Sequence, residues 1–173
     1  MSAWSIFSII RASLSLTGCF RCEYSGRVDQ MTSWCQQSLQ IRTEGREIRD
    51  ITRLVAESVV QSRVEVGLCH IFITHTSASL TITENADPRV LDDLEEFLLR
   101  VVPDGDSRYT HTSEGRDDMP AHIRSVLTGG SLTVTISDSR LVLGIWQGSY
   151  LWEQRIMPHE RQVVITISGD QRQ

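Results

Sequence analysis

From Ser131 to Ser168 the chain reads SLTVTISDSRLVLGIWQGSYLWEQRIMPHERQVVITIS. In its first seven residues apolar side chains alternate with hydroxyls, the period-2 pattern of a half-buried strand. Similar segments at 140–146, 149–156 and 162–168 predict three more strands, joined closely enough to run antiparallel. Working upstream, Gly129-Gly130 closes a short helix that Asp117 or Asp118 caps, with Pro120 in its first turn. Before it, Pro88 opens a longer helix whose stripe of Leu91, Leu94, Phe97, Leu98 and Val101 is expected to be buried. Ile51, Leu54, Val55 and Val59 recur at helical spacing behind Asp50, a candidate N-cap. Strands are predicted at Trp34 to Arg42, Val64 to His75 and Ser79 to Thr83. Strands and helices do not alternate as βαβ units, so the class is α+β with about three helices.

Composition narrows the chemistry. All 17 basic residues are arginine, so a Schiff base, a pyridoxal phosphate linkage or a P-loop lysine is impossible. Phosphate would have to be held by arginine, backbone amides or a metal. A formal charge of −5 with no basic cluster argues against nucleic acid as a partner. No apolar run approaches the roughly 20 residues of a membrane span, so no membrane partner is expected. Cys19, Cys22 and Cys35 lie early and Cys69 falls in an apolar strand, a distribution that suits a reducing cytoplasm better than a disulfide framework. Residues 31–173 read as a single domain. Residues 1–30 are serine-rich and differ in character: a lipoprotein-like box at Leu16 to Cys19, an organellar transit peptide, and a leader upstream of a start at Met31 are the competing readings, and the last is favoured.

The residues that could carry chemistry lie at element edges between His75 and Gln147, where folds place binding and catalysis. His75 shares its strand parity with Ile71, Ile73, Ser77 and Ser79, which lines one surface with an imidazole and two hydroxyls. His111 and Glu114 sit in the polar loop before the short helix, and His122 sits within it. Imidazole with carboxylate suits a divalent metal, although the spacing matches no His-Glu-x-x-His motif. Each of these histidines has a bland alternative: a satisfied core-edge residue for His75, a solvated loop residue for His111, a packing residue for His122. Glu84-Asn85 could simply form the turn before Pro88, and Trp146-Gln147 could end a strand in the core. His70 reads as structural, and His159 lies in an exposed turn.

Taken in order, His75-Thr76-Ser77-Ala78-Ser79-Leu80, Glu84-Asn85, Asp87-Pro88, Tyr109, His111, Glu114-Gly115, Asp118-Met119-Pro120, His122-Ile123, Ser131-Leu132, Gly144, Trp146-Gln147, Glu153 and Arg161 give the chain a family resemblance. It resembles the YjbQ-like family, also called the secondary thiamine-phosphate synthase family, from about Trp34 to Asp170. The resemblance implies an antiparallel β-sandwich within the α+β class, a homotrimer, and a cleft that gathers the shared polar residues near a subunit interface. It also implies joining a pyrimidine-methyl pyrophosphate to a thiazole phosphate with release of pyrophosphate. Two positions depart from the pattern. Ile145 stands where threonine usually precedes the Trp-Gln pair, and Ser137-Asp138-Ser139-Arg140 replaces a turn that usually carries proline and glycine.

The expected reading is therefore a small-molecule enzyme. His75, His111 and His122 are the candidate ligands of a zinc or magnesium ion. Glu114 or Glu84 would serve as general base, with Asp118, Asn85 and Gln147 as further catalytic or orienting groups. Ser77, Ser79, Trp146 and Arg161 would contact substrate, with Arg155 as a second cation for pyrophosphate. A constellation rich in histidine and carboxylate but poor in cations suits metal-bound water better than pyrophosphate capture. The alternative is a non-catalytic metabolite-binding or regulatory homotrimer that uses the same pocket.

Overall fold

The computed structural model describes residues 33–171, so the leader and its Cys19-Cys22 pair lie outside the described residues. The chain runs β1 (Ser33–Arg42), β2 (Glu47–Asp50), α1 (Thr52–Ser62), β3 (Val64–Ile73), β4 (Ala78–Glu84), α2 (Arg89–Val101), α3 (Asp118–Thr128), β5 (Ser131–Ser137), β6 (Arg140–Leu141), β7 (Gln147–Glu153) and β8 (Glu160–Gln171). Two antiparallel sheets result, one ordered β1-β8-β3-β5-β6 and the other β2-β7-β4. The α+β class with three helices is as the sequence predicts.

The core lies between the sheets. Ile71 and Ile73 of β3, Ile136 of β5, and Val163, Ile165 and Ile167 of β8 meet Leu80, Leu151 and the inward face of α1 there. That helix buries Val55 and Val59 as expected, whereas Leu54 is half exposed. The N-cap position falls on Ile51 and not on Asp50, although Asp50 Oδ1 accepts the Thr52 N–H at 2.8 Å. Cys35 and Cys69 are free thiols, and burial pushes Cys69 up to about 11, which makes it an inert packing residue.

Several expectations need correction. The stripe on α2 is not buried within one chain: Leu98 is, but Phe97 and Val101 are more than half exposed. The helix is held instead by a polar brace, in which the Trp152 indole N–H donates to Glu95 at 2.7 Å and Arg46 contacts both Glu95 and Asp104. Arg124, which is fully buried, joins the brace through Asp104 at 2.8 Å. Neither Asp117 nor Asp118 caps α3 through its side chain, because both carboxylates are taken by Arg155. The strand expected at 140–146 stops at Leu141. Gly144 and Gln147 close a turn from both directions, backbone to backbone at 2.9 Å and Gly144 N–H to Gln147 Oε1 at 2.8 Å. Ile145 and Trp146 are thus the exposed tip of a turn, and Gln147 opens β7 rather than ending a strand. Likewise β3 ends at Ile73, so His75 lies in the loop beyond it.

The β5–β6 hairpin turns on Asp138 and Ser139, with φ of +52° and +58°. Two positive φ values in a two-residue loop match the strand twist but favour glycine at the second position. Ser139→Gly is expected to raise stability by up to about 1 kcal/mol, the relief of left-handed strain less the entropy that glycine adds. A denaturant midpoint unchanged or lowered would count against this account.

Candidate metal centre

The loop before α3 and the first turns of that helix bring His111, Asp118 and His122 together. Asp118 and His122 are four residues apart and share a helix face. Asp118 is buried, its side chain only 2% exposed, while His111 and His122 reach it from the solvent side. Asp118 Oδ2 lies 2.8 Å from His111 Nε2 and 3.4 Å from His122 Nε2, within ion-pair reach of both, with no ring N–H aligned to bond it. The two ring nitrogens and this oxygen converge on common space. All three potential donor atoms lie within 4.8 Å of each other.

The surroundings fix these groups. His122 Nδ1–H donates to the Thr76 carbonyl at 3.0 Å, which sets the tautomer and leaves Nε2 as a lone pair. Arg155 holds Asp118 through Oδ1 and Asp117 through Oδ2, and donates to the Glu114 carbonyl at 2.8 Å. The Glu114 carboxylate itself is exposed and 3.9 Å from Arg155. Burial alone would raise the pKa of Asp117, but the Ile156 N–H and the Arg155 guanidinium outweigh it and hold the carboxyl below its usual range. Three carboxylates face one guanidinium here, so the local charge is −2, the complement of a divalent cation.

The family profile described as UPF0047 protein YjbQ-like matches residues 37–170. The chain belongs to the YjbQ-like UPF0047 family. It is 49% identical over 135 residues to a UPF0047 protein of Synechocystis, covering 78% of this chain and 92% of that one. To YjbQ of Escherichia coli O157:H7 it is 41% identical over 138 residues, 79% of this chain and 99% of the relative. An uncharacterised YjbQ-family crystal structure from Clostridium acetobutylicum superposes with a TM-score of 0.68 at 38% identity, over 77% of this chain and 98% of that one. A YjbQ-like protein of unknown function from Sulfolobus solfataricus shares the fold, with a TM-score of 0.75 at 22% identity over 81% of this chain and all of that one.

In this YjbQ-like chain the residues singled out in the sequence fall into separate groups. His75 stands outside the converging set, because its Nε2 accepts the Gln162 N–H at 2.9 Å. Arg161 and Ser77 are buried together: Arg161 pairs with Glu153 and donates to the Ser77 hydroxyl at 3.1 Å. Ser79 is fully buried, its hydroxyl bonded by Thr128 and Gln154. Glu84, Asn85, Trp146 and Gln147 form a group of their own, in which Asn85 donates to the Trp146 carbonyl through its backbone and to the Gln147 carbonyl through its side chain, both at 3.1 Å. Residues 84 and 147 pair at one end of the β4–β7 ladder, and Ala78 and Glu153 at the other. Six residues of strand separate the two groups by roughly 20 Å, so within one chain they do not surround the same small molecule.

Two cavities flank the three converging donors. One of 280 Å³ holds Tyr109, His111, Arg116 and Met119 among its walls, and Arg116 makes no ion pair among the described residues. The other, of 480 Å³, reaches from His122 to His75 and Gly129-Gly130. Arg116, Arg155 as a clamp, and the Arg46–Glu95–Asp104–Arg124 brace were not legible as site or scaffold from spacing, since each joins distant segments.

Proposed function

We propose that the chain is a metal-assisted enzyme acting on a small molecule, with His111, His122 and Asp118 holding a divalent cation. The observation that carries this reading is the buried Asp118 Oδ2, which faces His111 Nε2 at 2.8 Å and His122 Nε2 at 3.4 Å with no ring N–H aligned to bond it. Gathering a buried carboxylate oxygen and two imidazole nitrogens without aligned hydrogen bonds is costly, and a cation shared among the three removes the cost. Two histidines and one carboxylate leave coordination positions open, as catalytic sites require, and a cation there would supply an acidified water or polarise a substrate oxygen. Glu114, exposed and only loosely paired with Arg155 at 3.9 Å, is the carboxylate we assign as base. Zinc suits this nitrogen-rich set better than magnesium.

The narrower reading, joining a pyrimidine-methyl pyrophosphate to a thiazole phosphate, needs cations for the leaving group. Arg155 and Arg161 are committed to carboxylates, which leaves Arg116 beside His111 as the guanidinium for that task. The homotrimer remains part of the proposal, and the apolar side chains that α2 exposes, Phe97 and Val101, are ones that a neighbouring copy would cover. The test is elemental analysis of full-length protein purified without chelator, before and after addition of zinc. One metal per chain is expected in wild type and none in His111→Ala of unchanged fold. A wild type that stays metal-free after zinc addition would overturn the proposal.

A further inference from the structure

The larger cavity has a chemistry of its own. One wall carries His75 and Ala78, the other His122, Ser125 and Val126, and the backbone of Gly129-Gly130 closes the end. At 480 Å³ it falls in the size range of small-molecule sites. Two hydrogen-bond donors face no protein acceptor. Ser125 Oγ is buried and has no partner. His75 accepts the Gln162 N–H at Nε2, so its neutral ring carries the proton on Nδ1, for which no acceptor is found among the described residues. Burial first, and then the charge of Arg161, lowers the pKa of His75.

The glycines leave space rather than permit a tight approach. A Cβ at Gly129 would meet nothing within 4 Å, and one at Gly130 would meet only Ile73 Cγ2 at 4.0 Å. The walls include no arginine, and the chain has no lysine. Two neutral donors without a guanidinium match the two oxygens of a carboxylate. They would leave a phosphate or pyrophosphate largely uncompensated.

We propose that this cavity is the chamber for a small organic acid, whose carboxylate is received by Ser125 Oγ–H and His75 Nδ1–H while its apolar body lies against Ala78 and Val126. It rests on the metal-centre reading for any chemistry, since His122 belongs to both, but not for binding. His75 is then a substrate-binding donor and not a metal ligand.

The test titrates sodium benzoate into the full-length chain and follows the Ala78 and Val126 methyl signals by NMR, first metal-free and then with zinc added. Saturable shifts at both residues are expected. Ser125→Ala should weaken binding about 10-fold, the scale of one lost hydrogen bond to a charged group. Gly130→Ala should also weaken it by narrowing the chamber, and inorganic pyrophosphate should fail to displace benzoate. The proposal is overturned if these signals stay still in both metal states, if Ser125→Ala binds like wild type, or if pyrophosphate displaces the probe. Elemental analysis separates the two readings. A chain that binds benzoate but stays metal-free after zinc addition sinks the metal centre and keeps the chamber, while a chain that takes up zinc but ignores benzoate in both metal states does the reverse.

Discussion

Arg161→Met is expected to destabilise the protein by about 3–5 kcal/mol, the cost of leaving a buried charge without its partner. Glu153 is fully buried and Arg161 is 3% exposed. Arg161 Nε donates to Glu153 Oε2 at 2.6 Å, and its Nη2 donates to the other oxygen. The Thr43 hydroxyl and the Arg155 N–H, each at 2.9 Å, complete the shell of the carboxylate. The pair joins the two sheets, because Glu153 ends β7 and Arg161 lies at the start of β8. It also grips the Ser77 carbonyl at 3.3 Å, steadying the loop whose Thr76 carbonyl orients His122. Removing the arginine alone strands the carboxylate, whereas Glu153→Met with Arg161→Met removes both charges and should recover most of the loss. Denaturant midpoints of the two single variants and the double variant decide it. A single variant as stable as wild type would refute the account.

The same carboxylate sets an acid limit. Burial would raise the Glu153 pKa, but hydrogen bonds from Arg161, Arg155 and Thr43 outweigh it, and the folded pKa is lowered. A lowered folded pKa gives stability that is present above the unfolded value and is lost as pH falls through the folded one. Glu153→Gln should therefore lack part of the acid destabilisation that wild type shows.

Asp118→Asn is expected to weaken zinc binding by more than roughly 100-fold, beyond the 10–100-fold typical of losing an outer-shell partner. The substitution keeps the shape, removes one of three negative charges facing Arg155, and places an amide where the oxygen facing both imidazoles stood. The fold should survive, because Arg155 keeps Asp117 at 3.0 Å and the Glu114 carbonyl at 2.8 Å. Calorimetric zinc titrations of Asp118→Asn and of Asp117→Asn, which spares the three converging donors, separate direct ligation from local charge. Equal losses in both would show that charge alone matters, and no loss in Asp118→Asn would remove it from the site.

Much of the fold was legible because local periodicity reports burial. The alternation at 131–137 corresponds to β5, and the repeat at Ile51, Val55 and Val59 to a core helix. The reading failed where side chains rewrite the local pattern. Gln147 folds back on Gly144 and ends what looked like a strand, and the α2 stripe looked like core because periodicity identifies an apolar face without saying what covers it.

For the site, the residue types were legible and their grouping was not. The sequence by itself determined that no lysine chemistry operates, that histidines and carboxylates gather between residues 75 and 122, and that the chain is α+β. Only the tertiary structure decided that Asp118 and not His75 joins His111 and His122, that Arg161 is spent inside the protein, and that the Trp146-Gln147 group stands at the far end of the ladder. The reason is physical. Charge and hydrogen-bonding capacity belong to each residue, but which donors end up satisfied depends on neighbours that the tertiary fold brings from 40 to 90 positions away, as it does for His75 with Gln162 and for His122 with Thr76.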